Sequence, residues 1–188
     1  MALSFAGNGT IAGLSVGGLP DGTVDEDTLA NNAVGSGKLA SGVGGKCLQV
    51  VHGDLSTAYS RTSCTSTYTT TGLSASITPA SSSNSVLVIT TVYAMSVTNH
   101  NYSALKVFRD STGIGNPRQI SNGDRYGYIT PQTIVWKDSP SSSSAITYSV
   151  QVADENNDGS TIYVNRGSLG AGSEQICTSS IVLMEISA

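Results

Sequence analysis

From Lys46 onward, apolar residues fall in short alternating runs or in β-branched stretches, separated by clusters of Ser, Asn, Gly and Pro. SVLVITTVYAM, Ser85 to Met95, is the strongest of these. It is apolar at both odd and even positions, which predicts a central strand buried on both faces. TSTYTTTGLSASITP alternates, with Tyr68, Leu73, Ala75 and Ile77 as its inward set, and SALKVFRD points Leu105, Val107 and Phe108 at a core. Further strands are expected at CLQVVHG, at Ala145 to Ala153, at Thr161 to Asn165 and at Ile176 to Ile186. Another is expected at Gly127 to Lys137, where Pro131 restricts the strand to an edge or a bulge. Turns fall at Ser81 to Asn84, Asn99 to Asn101, Pro140 to Ser144 and Gly167 to Ser173. Many short strands with no helix-period segment predict an all-β unit over residues 46–188, an antiparallel β-sandwich of jelly-roll-like type.

Residues 22–45, GTVDEDTLANNAVGSGKLASGVGG, follow a different rule. Their apolar residues are Val24, Leu29, Val34, Leu39 and Val43, spaced five, five, five and four apart. That is neither the period of a strand nor that of a helix. One apolar residue per repeat leaves no second layer to cover it, so the segment must bury these side chains against something else. A threefold bundle of identical chains brings three like residues together at each level, and a homotrimeric stalk is the expectation. A flexible Gly/Ser linker is the alternative that composition alone allows. Within the repeat, Asp25 is placed to cap a short helical turn over Thr28 to Ala33. Ahead of it, residues 1–21 carry Leu3, Phe5, Ile11 and Leu14 among glycines, the composition of a docking segment that orders on a partner.

Composition narrows the function classes. Of 188 residues only 12% are charged, with a net charge of -4, and the pI is near 4.9. With no run of Lys or Arg, nucleic acid is not an expected partner. No apolar run has the length of a membrane helix, and MALSFAGNGT lacks the features of a signal peptide, so synthesis in a cytoplasm without membrane insertion is expected. Cys47, Cys64 and Cys177 form neither a CxxC pair nor an even framework. They read as small buried hydrophobes, with one internal disulfide plus an odd thiol as the alternative.

The repeat GTVDEDTLANNAVGSGKLASG resembles the shaft repeats of fibre proteins from tailed bacteriophages. The segments CLQVVHGDLST, TSTYTTTGLSASITPASSSNSVLVI and SSIVLMEISA are similar to the small β heads of fibre proteins from marine podophages. The resemblance covers most of the chain, and its motifs are structural, not chemical. It implies a homotrimer with a virion-bound N-terminus, in contact with other virion proteins of the tail or capsid, and an exposed β head. The long N-terminal docking domain usual in phage tail fibres is missing, which leaves tail and capsid both open as the point of attachment.

Candidate chemistry is sparse. Asp154-Glu155-Asn156-Asn157-Asp158-Gly159 has oxygen ligands where a calcium loop begins, at Asp154, Asn156 and Asp158, but Asn165 stands where such a loop needs a bidentate Glu. A polar hairpin turn is the simpler reading. His52 and His100 are far apart in sequence, no GxSxG elbow occurs, and no catalytic residues, metal or cofactor are expected. Trp136 and the tyrosines could stack on sugars, but most lie in strands and are expected in the core or between subunits. Asn99, His100, Asn101 and Tyr102, with Asn122 to Tyr126 including Arg125, are better placed as an exposed binding tip for a host glycan or protein. The sequence thus predicts a non-enzymatic virion fibre that contacts the host surface. A capsid or tail decoration protein without a receptor role is the alternative, and a glycan depolymerase stands third.

Overall fold

The computed structural model describes residues 47–97, 103–120, 129–167 and 177–188 in full and, upstream, the backbone of two short strands. The chain divides into two units, Met1–Gly44 and Gly45–Ala188. In the first, β1 (Ser4–Phe5) pairs antiparallel with β2 (Ile11–Ala12). Phe5 is thereby opposite Ile11. The other docking candidates, Leu3 and Leu14, and the stalk candidates Val24, Leu29, Val34, Leu39 and Val43, with the Asp25 cap, lie outside the described residues.

The second unit is all-β: no helix occurs among its described residues. Its strands are β3 (Cys47–Leu55), β4 (Tyr59–Arg61), β5 (Thr69–Ile77), β6 (Ser85–Val97), β7 (Ser103–Arg109), β8 (Thr112–Gln119), β9 (Thr130–Asp138), β10 (Ile146–Asp154), β11 (Thr161–Val164) and β12 (Ser179–Ile186). They form two antiparallel sheets. One has the order β5-β10-β7-β8, and the other β3-β12-β6-β11-β4 with β9 also paired to β6. Thr91 of β6 is opposite Ser180 on one side and Thr133 on the other. Strand β9 therefore runs along one edge of β6, while β12 and then β11 share the other edge.

The two sheets turn their apolar faces into a single core. Leu73 and Ile77 of β5, Leu105 and Val107 of β7, and Tyr148, Val150 and Val152 of β10 pack with Val86, Val88 and Val92 of β6, Ile162 and Val164 of β11, and Ile181 and Leu183 of β12. Close approach is enforced at Gly53, where a Cβ would collide with the Ser74 carbonyl oxygen across the sheets.

Several expectations change here. Strand β6 buries only Val86, Val88, Thr90, Val92 and Ala94 in strict alternation up to that point, and Leu87, Ile89 and Tyr93 on its other face are half-buried. Phe108 and Tyr68 do not face the core. Their rings meet 5.4 Å apart and both are half-buried, because the alternation that buries Leu105 and Val107 turns Phe108 outward. Cys64 is buried, but Cys47 is exposed and Cys177 half-buried, and all three are free thiols. Pro131 does sit on an edge strand, since β9 pairs only with β6.

Candidate functional site

The loop from Asp154 to Ser160 joins β10 to β11, and Asp154 organises it. Its wholly buried carboxylate accepts at Oδ2 from the Ser160 amide at 2.9 Å and the Asp158 amide at 3.1 Å. The Asn157 amide donates to the Asp154 carbonyl at 3.0 Å, and Asn156 Nδ2 donates to Asp158 Oδ2 at 2.8 Å. Asn157 at φ 60° and Gly159 at φ 77° supply the left-handed residues that such a turn requires. Burial works to raise the Asp154 pKa, but the Ser160 side chain and the amides of Ser160, Asn156 and Asp158 hold it below its ordinary value. The loop is thus held as a polar turn on Asp154 Oδ2, while Asp154 Oδ1, also buried, has no hydrogen-bond partner among the described residues. Asn165 is equally committed: Nδ2 donates to the Leu55 carbonyl at 2.6 Å and the Thr57 carbonyl at 3.1 Å, while Oδ1 accepts from Ser179 Oγ. Among the described residues no group of three His, Cys, Asp or Glu side chains is placed to hold a metal ion.

The other buried carboxylates are tied up in the same way. Asp138 accepts from Arg109 Nη1 at 3.0 and 2.9 Å and from the Tyr148 hydroxyl at 2.7 Å, so β7, β9 and β10 of the two sheets are joined through one carboxylate. Burial, and then Asp138, push the Tyr148 pKa well above its ordinary value. Glu185 accepts from Gln49 Nε2 at 2.6 Å, Asn84 Nδ2 at 2.6 Å and the Ala80 amide at 2.7 Å. Burial would raise its pKa, but these donors and the Ser81 amide hold it low. These contacts order the 78–84 loop and the last strand, and they leave neither carboxylate with a free oxygen for acid or base chemistry.

Of the tip candidates, Asn99, His100, Asn101, Tyr102, Arg125 and Tyr126 lie outside the described residues. His52 is exposed on the outer face of β3, opposite Val182. Trp136 is 38% exposed. Its indole lies over Gly115 of β8, where an added Cβ would come within 2.9 Å of the ring. One ring face is therefore already covered.

Candidates that were not singled out from sequence are the outward residues of the larger sheet. The register aligns them in rows across β3, β12, β6 and β9. One row is His52, Val182, Ile89 and Val135; the next is Val50, Met184, Leu87 and Lys137. Val50 and Val135 are 58% and 59% exposed, and Leu48, further along β3, is 49% exposed. The smaller sheet differs. Its outward positions include Ser74, Ser76, Lys106, Phe108, Thr147, Ser149 and Gln151, with Ser76 and Thr147 hydrogen-bonded across the strands at 2.8 Å. No helix among the described residues is long and apolar enough to cross a membrane. No protein-family model matches the chain, and no curated protein matches it.

Proposed function

We propose that this protein is a homotrimeric fibre of a bacteriophage virion, fixed to the particle by residues 1–21 and touching the host surface with the unit that begins at Gly45. The five-residue spacing of Val24, Leu29, Val34 and Leu39 carries this reading, because a solvated linker has no reason to hold it. Two antiparallel sheets over one core suit a β-sandwich head. The commitment of both oxygens of Asp138 and of Glu185 to internal donors favours a binding protein over an enzyme that cleaves glycans. Attachment then works by avidity: three weak head contacts per fibre, repeated over the fibres of one particle, give tight adsorption without a strong single site.

The test is direct. Fluorescently labelled full-length protein should stain host cells and compete with whole particles for adsorption. A protein that binds assembled particles but neither stains cells nor competes is a decoration protein instead. Deleting residues 1–21 should abolish incorporation into particles while leaving a folded oligomer.

A further inference from the structure

We propose that the outward face of the β3-β12-β6-β9 surface is an interface between copies of this chain, the head-to-head contact of the assembled fibre. The inference rests on the trimeric reading above and names the surface and the partner that complete it. Strand β6 reads in sequence as buried on both faces, yet the described residues of a single chain bury only one: Val86, Val88 and Val92 go inward, while Leu87 and Ile89 are left half-buried. The same holds in β12, where Ile181 and Leu183 are buried and Val182, Met184 and Ile186 are not. On β3 and β9 the face continues through Val50 and Val135, each more than half exposed. Its charged side chains among the described residues, Asp54 on β3 and Lys137 on β9, stand on the two flanking strands with His52, and the central strands add only the neutral Tyr93, Thr91 and Ser180 at one end. An aliphatic centre with charge kept to the margins is the composition of an interface between like subunits.

Area and tether decide between a second copy and a diffusing partner. Four strands about 4.8 Å apart and some seven residues long at about 3.3 Å each make a footprint of roughly 400 Å². That is about half of the roughly 800 Å² per partner that stable association of free proteins needs. A contact of this size holds only if the partner is already at hand. The apolar repeat ends at Val43, and β3 begins at Cys47, so copies joined through residues 22–45 would keep their Gly45–Ala188 units at an effective concentration on the order of millimolar.

The experiment uses the full chain with Cys47, an exposed free thiol on β3, replaced by Ser, and in that background single near-isosteric substitutions, Val50→Cys and Val135→Cys on this face and Ser76→Cys on the polar face of the other sheet. Labelling of each introduced thiol by a bulky maleimide is followed peptide by peptide, and the chain mass is measured on the same samples. In a trimer, the thiols at positions 50 and 135 should label about tenfold more slowly than the one at 76. A trimer in which all three label at equal rates overturns the interface and leaves the trimeric stalk standing. A monomeric mass overturns the trimeric reading and the interface with it, whether the thiols label fast or are covered by some other part of the chain. Slow labelling only after host extract is added assigns the face to a foreign partner and overturns the proposal.

Discussion

The two sheets share one core but face outward with opposite chemistry. Beyond the buried residues, β5, β7 and β10 show Ser74, Ser76, Thr147, Ser149, Gln151 and Lys106, while β3, β6, β9 and β12 show Val50, Leu87, Ile89, Val135, Val182 and Met184. Strands β5 and β10 of the first sheet largely follow the ordinary rule of an antiparallel sheet with one face in the core and one in water, and Phe108 of β7 is the one large apolar side chain among the described residues of that outward face. The second sheet breaks that rule in its two central strands. A contiguous aliphatic face is costly to leave in water and rare on monomers; in the proposed assembly the second sheet is the side that meets another copy, and the smaller sheet the side that stays in solvent.

The largest expected effect lies on the shared core. Leu183→Ala removes a wholly buried side chain from β12 and should cost about 3 kcal/mol, read from urea unfolding at fixed chain concentration. The loss should accompany no change in mass, because the inward side of β12 belongs to the protomer.

A second effect separates acid stability from assembly. The folded pKa of Glu185 lies below its ordinary value of 4.5. The stability it contributes is therefore full above pH 4.5 and is lost as pH falls through the lowered folded value. Glu185→Gln places an amide donor among Gln49, Asn84 and the Ala80 amide, all of which already donate. The variant should melt lower than the natural chain at pH 7, and the gap should close as pH falls below 4.5. A gap that stays constant over that range would contradict the role given to the carboxylate.

The smallest effect is expected on the polar face. Thr147→Val trades an exposed hydroxyl, bonded to Ser76, for a methyl group. It should change unfolding free energy by less than about 0.5 kcal/mol and leave the mass unaltered. A new association produced by this single substitution would weaken the contrast between the two faces.

Much of the fold is legible in the residues, where one periodicity dominates. The alternation Thr71, Leu73, Ala75, Ile77 gives the inward face of β5, and the β-branched run from Ser85 gives β6. Strand β8, TGIGNPRQ, is hidden because Gly113, Gly115 and Pro117 read as breakers. They are tolerated because β8 is an edge paired only to β7 and because Trp136 fills the space over Gly115. Strand β4 is three residues long and carries too little pattern to register. The outward turn of Phe108 follows from the alternation that buries Leu105 and Val107, whereas its pairing with the ring of Tyr68, which joins β7 to the approach to β5, is a contact that spacing within either stretch cannot show. The Asp138, Arg109 and Tyr148 cluster is likewise assembled from three strands and has no local signature. The apolar outward face was written in plain view at Leu87, Ile89, Val182 and Met184. It reads as ordinary two-sided burial, and only the fold shows that the described residues cover one side alone.

The most direct measurement is the mass of the full-length chain by sedimentation equilibrium over a range of concentrations. The account predicts a species of three times the 19.2 kDa chain mass that persists on dilution, because in the proposed assembly the repeat and the aliphatic face hold the same three copies. A species that sediments at the mass of one chain at every concentration would contradict it.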